Sequence, residues 1–195
     1  KEGTDLITEM MNGKIFDRPI TDEEAENMCI QVLIAGLDTV VNLLGFIFSY
    51  LATNADLRRK LASDPSLLED AIPEFLRRFP LVSNAREVAK ETEFGGVTLK
   101  ARDMIMGSTI LVAMSEDSND DALEFRLERP KRHFYIFGKG IHVCPGAPLA
   151  RLELKIILRE WLARIPEFRL VEGNDLSYLS GIVSAVSPFE LEWDV

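Results

Sequence analysis

One cysteine stands in a setting that suits chemistry. Cys144 lies in the run Phe137-Gly138-Lys139-Gly140-Ile141-His142-Val143-Cys144-Pro145-Gly146, among glycines and directly before a segment of helical periodicity. Backbone N–H groups and the positive end of the dipole at a helix N-terminus favour a thiolate over a thiol. Glycines such as Gly138, Gly140 and Gly146 let the backbone approach a flat cofactor closely. A thiolate held this way can ligate haem iron and push electron density onto it. A nucleophilic role, another metal role and plain packing as a small hydrophobe are the other uses of an isolated cysteine. Two pairs precede it. Asp38-Thr39 interrupts an otherwise uncharged run, where an ionisable group is costly to bury, so proton transfer explains it better than packing. The plainer arrangement for such a pair is a side-chain bond to its own helix. Glu74 and Arg77 stand at i, i+3, which on an exposed helix is a surface pair of small value.

The elements that must position these residues are readable in outline. Thr21 with Glu24 three residues on forms a capping box, opening a long helix in which Asp38 is the only charge from Asn27 to Ala55. A helix so apolar belongs in the middle of a protein or in a membrane. Gln31, Asp38, Thr39 and Asn42 interrupt its centre, which favours the buried central helix. Ser66-Leu67-Leu68-Glu69 predicts a second capping box, and the helix it opens carries Glu74, Arg77 and an internal Pro73 expected to kink it. Thr92-Glu93-Phe94 and Val97-Thr98-Leu99 flank Gly95-Gly96 as a hairpin; Met104 to Met114 is apolar without a decisive period. Pro148 fits the first turn of a helix with Leu149, Leu152, Ile156 and Ile157 as its apolar positions. Alternation from Ser180 to Trp193 predicts a closing hairpin around Ser187-Pro188. The fold class expected is mainly α with small β-sheets.

Composition narrows the partners. The 195 residues are 47% hydrophobic, enough for one core of ordinary size, and carry 22 Lys and Arg against 32 Asp and Glu, a net charge of −10. That balance opposes nucleic-acid binding and attachment to anionic lipid surfaces. With Cys29 and Cys144 as the only cysteines, a disulfide scaffold is not indicated, and a cytoplasmic location is expected. The opening Lys1-Glu2-Gly3-Thr4 shows no initiator Met, basic leader or apolar signal region, so the chain is expected to begin inside a longer protein.

The cysteine run matches Phe-x-x-Gly-x-His/Arg-x-Cys-x-Gly, the haem-binding signature of cytochromes P-450, at every fixed position. Upstream, Ala35-Gly36-Leu37-Asp38-Thr39 resembles that family's oxygen-binding helix motif, and Glu74-Phe75-Leu76-Arg77 its Glu-x-x-Arg motif. Arg164-Ile165-Pro166 and Ser180-Gly181-Ile182-Val183-Ser184 are similar to the bacterial class that includes camphor 5-monooxygenase. The likeness runs over essentially the whole chain, residues 1–195, as the C-terminal haem-binding portion of the fold, with no counterpart of the N-terminal half. Two features depart from the family: Pro73 directly precedes Glu74, and 115–125 is shorter and more acidic.

By resemblance, Cys144 is the axial ligand to the iron of haem b, with Phe137, Gly138, Gly140 and Gly146 around it, and His142 and Arg86 bind propionates. Glu74, Arg77 and Arg129 make a buried structural network. Asp38 and Thr39 deliver protons where the helix opens at Gly36, and Ile34, Ala35, Val82 and Val183 line the substrate pocket. The implied activity is hydroxylation by dioxygen of a small hydrophobic substrate, with terpenoids as one candidate class. Two electrons come from an iron–sulfur ferredoxin with its reductase, since no flavin or nicotinamide fingerprint is present. Lys131, Arg132 and Lys139 are either a docking patch for that donor or solvated loop charges. The alternative is a non-catalytic haem-binding remnant lacking the distal half.

Overall fold

The structure is a computed structural model and describes residues 3–194; Lys1, Glu2 and Val195 lie outside the described residues. The chain divides into two compact units, residues 1–40 and 41–195.

In the first unit, helix α1 (Leu6–Met11) is capped by Asp5, whose carboxylate accepts from the Thr8 N–H at 2.9 Å. Strands β1 (Lys14–Ile15) and β2 (Arg18–Pro19) pair antiparallel. The capping box forms as its spacing predicts: the Glu24 N–H donates to Thr21 Oγ1 at 3.2 Å, and the Thr21 N–H donates to Glu24 Oε2 at 2.8 Å. It opens helix α2 (Asp22–Thr53), which continues into the second unit. By length and composition α2 could cross a membrane. Its burial is uneven and departs from the expected buried helix: Ile30, Leu33, Ile34 and Leu37 are exposed, whereas the later turns bury Leu43, Ile47, Leu51 and Ala52. Helix α2 is also continuous through Gly36, without the expected opening.

The core of the second unit forms where those later turns of α2 meet three helices, α3 (Ala55–Ser63), α4 (Leu68–Arg78) and α6 (Ala147–Arg164). Ile47, Leu51, Leu61, Phe75, Leu76, Leu154 and Leu158 are its centre. Truncating one such leucine to alanine costs about 2–5 kcal/mol. Buried Arg58 on α3 ties this core to the chain after α6, donating to the carbonyls of Leu51 at 3.0 Å and Pro166 at 3.1 Å and to Glu167 at 2.7 Å.

Short strands surround the helices. β3 (Ser83–Glu87) pairs antiparallel with β6 (Met104–Ser108), between them β4 (Thr92–Phe94) and β5 (Val97–Leu99) form the expected hairpin, and α5 (Thr109–Ala113) follows β6 directly. Gly95 and Gly96 have φ of +60° and +79°, the left-handed pair that a tight two-residue turn requires. After α6 come β7 (Arg169–Leu170), β8 (Tyr178–Leu179), β9 (Ala185–Val186) and β10 (Leu191–Glu192). The chain is thus helix-rich with small two-stranded ladders, as the sequence predicts.

Three local expectations are corrected. The cap before α4 is Asp64, which accepts from the Ser66 N–H at 3.0 Å; Pro65, with its fixed φ, starts a 3-10 turn over 65–67 that places Ser66 inside the turn. On α6 the buried stripe is Ala147, Leu154, Leu158 and Leu162, while Leu149, Leu152 and Ile156 are exposed, because the helix is apolar on two faces and only one meets the core. The tail makes no hairpin at Ser187-Pro188. The Ser187 N–H donates to the Ser177 carbonyl at 2.8 Å, extending the β8–β9 pair, and after Pro188 the chain leaves to pair β10 with β7.

Candidate functional site

The loop before α6 is folded around its backbone donors. The Cys144 N–H donates to the Phe137 carbonyl at 2.8 Å, closing the loop, and the Gly138 N–H donates to Tyr135 at 2.8 Å. Gly138 and Gly140 sit at φ of +72° and +73°, and a Cβ on Gly138 would lie 3.3 Å from the His142 carbonyl oxygen. Those positions therefore require glycine. A 3-10 turn over Gly140–His142 ends with the Val143 N–H on the Gly140 carbonyl at 3.1 Å. Gly146 is the N-cap of α6, and a Cβ there would stand 3.7 Å from Cys144 Sγ. The thiol of Cys144 is free, half-buried and within one turn of the helix start. Exposed apolar side chains, Val143, Leu149 and Leu152, follow the same stretch of chain, and the Arg151 guanidinium lies over the Phe137 ring at 4.7 Å.

Glu74, Arg77 and Arg129 come together in full burial, so the surface-pair reading of the first two does not hold. Arg77 Nε and Nη2 donate to the two Glu74 oxygens at 3.0 and 2.8 Å. Its remaining donors go to the carbonyls of Ala113 at 2.9 Å, Ala122 at 2.7 Å and Glu124 at 2.8 Å. Arg129 Nε reaches Glu74 at 3.1 Å, and its other nitrogens bond the carbonyls of Asp120, Asp121 and Glu124. Burial alone would raise the Glu74 carboxyl; hydrogen bonds from Arg77, the Arg126 N–H and Arg129 outweigh it and hold the group below its ordinary value. Pro73 is accommodated within α4 immediately before Glu74.

The sequence missed two members of this region. Arg132 is turned inward, with Nε 3.4 Å from Glu74 Oε2 and Nη2 donating to the Leu127 carbonyl, so it does not belong to an exposed patch with Lys131 and Lys139. Buried Asn119 accepts the His133 N–H at 2.8 Å and donates to the His133 carbonyl at 2.9 Å, which fixes the chain leading to the cysteine loop. Neither carries a local signal beyond its residue type, because both bond partners brought in by tertiary folding.

Val82 and Val183 are brought face to face in an isolated antiparallel bridge, flanked by hydrogen bonds from the Ser83 N–H to Ile182 at 2.9 Å and from the Ser184 N–H to Leu81 at 2.7 Å. Arg86 is exposed on β3, opposite Ile105, and its guanidinium bonds the Ala85 carbonyl at 2.7 Å. His142 is exposed in the cysteine loop. Ile34, Ala35, Asp38 and Thr39 belong to the first unit, where Ile34 and Ala35 are exposed on α2. Thr39 Oγ1 donates to the Ala35 carbonyl at 2.8 Å, the local side-chain bond that tends to bend a helix. Asp38 is exposed, so the burial cost inferred from its apolar neighbours is not incurred.

Comparison with known proteins bears on this arrangement as a whole. A model of the family described as Cytochrome P450 matches residues 1–175. Probable cytochrome P450 127A1 of Sinorhizobium fredii is 37% identical over 195 residues, covering 97% of this chain and 46% of the relative. A Vitamin D(3) 25-hydroxylase of Pseudonocardia autotrophica is 37% identical over 158 residues, covering 80% of this chain and 39% of the relative. The crystal structure of CYP101J2 superposes with a TM-score of 0.96 at 59% identity, covering 100% of this chain and 50% of that one. The structure of CYP101C1 gives 0.92 at 34%, covering 99% and 50%. The chain thus spans about half the length of the relatives it matches. With a family model over most of its length and close agreement in backbone with solved members, the chain belongs to the cytochrome P450 family.

Proposed function

We propose that this chain is the C-terminal, haem-binding portion of a cytoplasmic haem-thiolate monooxygenase. The reaction is hydroxylation of a small hydrophobic substrate, terpenoid in class, by dioxygen with two electrons from an iron–sulfur ferredoxin. The observation that carries the reading is the cysteine loop: a free thiol at the start of an eighteen-residue helix, beside two glycines in left-handed conformation.

The residues present fit haem b. Cys144 offers a soft sulfur ligand of the kind iron accepts, favoured as thiolate by the helix start. Phe137, Val143 and Leu149 would give an apolar rim to a flat ring, and Gly138, Gly140 and Gly146 add no side chains to the loop that would hold it. Arg86 and His142, both exposed, supply donors suited to propionate carboxylates. When bound, haem supplies the redox and dioxygen chemistry. Asp38 and Thr39 are the acid and alcohol that would hold and pass protons, with the Thr39 hydroxyl positioned by the Ala35 carbonyl. Ile34, Ala35, Val82 and Val183 are assigned to the substrate, and their apolar character sets its class. Glu74, Arg77 and Arg129 act on the scaffold rather than on substrate.

Hydroxylation is supported by the relationship to a Vitamin D(3) 25-hydroxylase. Exposed Lys131 and Lys139, on a chain of net charge −10, would give an acidic ferredoxin a local basic contact. The test is the absorption spectrum of the protein purified with haem, reduced and exposed to carbon monoxide. Thiolate ligation gives a strongly red-shifted Soret band; a spectrum of the imidazole-ligated type would remove the reading.

A further inference from the structure

The second unit contains a cleft of about 480 Å³ between the later turns of α2, the end of α4, α5 and the β8 strand. Its size is that of a small-molecule site. Its walls are aromatic: Phe46 stacks on Phe79 with centroids 5.7 Å apart and on Tyr178 at 5.9 Å, and Tyr50 meets Phe79 edge-on at 5.5 Å. One cation enters this apolar space, Arg78.

Arg77 and Arg78 are adjacent and opposite in their circumstances. Every nitrogen of Arg77 is engaged by Glu74 or by backbone carbonyls. Arg78 Nε is buried without a hydrogen-bond partner, and Nη1 has only the Met114 sulfur at 3.9 Å. The guanidinium lies over the Phe79 ring at 5.4 Å, and no ion pair to it forms among the described residues. Arg78 is half-buried, so the cost falls on Nε, which is shielded from water without an acceptor, and a carboxylate supplies the acceptor it lacks. The Tyr50 phenol is a second donor in the same cleft, since burial holds it above its ordinary value against the lowering effect of Arg78.

We infer that this cleft binds a small amphipathic carboxylate, with the acid on Arg78 and Tyr50 and an aromatic or aliphatic body against Phe46, Phe79 and Tyr178. The inference is independent of the monooxygenase reading. Leu81 and Ser184 line the cleft, whereas their neighbours Val82 and Val183 do not. Successive residues of extended chain point to opposite faces, so the carboxylate site backs onto the far side of the Val82–Val183 bridge and is separate from the proposed substrate wall.

The probe is 4-phenylbutyrate, titrated calorimetrically into the full chain, with 4-phenylbutanol as its neutral counterpart. Saturable binding of the acid is expected, with the alcohol at least about tenfold weaker because it cannot form the charge-assisted bonds. The methyl carbon resonance of Met114 should shift on binding. Arg78→Gln should abolish the preference for the acid at unchanged melting temperature. If that variant fails to fold, Leu179→Trp, made at an exposed rim position, should obstruct the cleft and weaken binding instead. Absence of saturable binding, as when polypeptide occupies the cleft, overturns the inference. Equal affinity for acid and alcohol, an unmoved Met114 resonance, or unchanged binding in both variants does the same.

Discussion

Arg77 and Glu74, one helical turn apart on α4, share two hydrogen bonds of 3.0 and 2.8 Å with neither side chain exposed to solvent. Spacing that on an exposed helix would contribute a few tenths of a kcal/mol is here the junction of a buried network. Removing either partner strands the other inside the protein at a cost of about 3–5 kcal/mol. Glu74→Ala and Arg77→Ala are each expected to lower the melting temperature sharply and to yield protein without haem. Full haem content with wild-type melting in both would show that the network is dispensable.

Replacing Cys144 by serine tests the ligand directly. Serine keeps the size and the helix-start position but is a far weaker donor to iron. Loss of the red-shifted carbon monoxide band with folding intact is expected, and its retention would take Cys144 out of the site.

The assignment of Asp38 and Thr39 to proton transfer makes two separable predictions, read in the reconstituted full-length enzyme. Thr39→Ala should leave haem content and reductant consumption largely unchanged while diverting electrons from hydroxylated product to hydrogen peroxide. Asp38→Asn should slow turnover itself, since the amide carries no transferable acid proton. Unchanged coupling in the first and unchanged rate in the second would refute the relay.

A pH effect is expected at the start of α2. Glu24 is held at about 2, chiefly by its hydrogen bond from Arg18 and then by the Thr21 N–H. A depressed carboxyl stabilises the folded form above its ordinary value of 4.5, and that contribution disappears as pH falls through about 2. The Glu24 side-chain carbon resonance should therefore titrate near 2, and Arg18→Gln should move its midpoint toward 4.5. A midpoint insensitive to Arg18 would assign the shift to the capping bonds alone.

What could be read from the residues divides along sequence distance. Thr21 and Glu24, Gly95 and Gly96, and the glycines before Cys144 each act on neighbours a few residues away, so their spacing carries the conformation. The cap of α4 was displaced by Pro65, a competition between two local signals that the capping-box pattern alone does not resolve. The buried face of α6 and the partner of β10 depend on which distant surface arrives, and α6 offers two apolar faces of similar strength. Burial of Glu74, and the inward turn of Arg132, likewise follow from the 113–132 chain folding over α4, which no local pattern records.

Between α5 and the turn that precedes Cys144 the chain crosses 114–139 without helix or strand. The backbone there is held by a few local turns, such as the Glu124 N–H on the Asp121 carbonyl at 2.9 Å, and by side chains: the carbonyls at 120, 121, 122 and 124 accept from Arg77 and Arg129. The consequence is an order of events in folding. Arg129 belongs to the segment itself, but its Nε is held by Glu74 and the Ala122 carbonyl is reached from Arg77 on α4, so this segment should acquire its full protection only after α4 has formed and docked. During synthesis and refolding, 114–139 would then be the stretch longest exposed to proteolysis, and cleavage there would decline in step with the burial of a single glutamate.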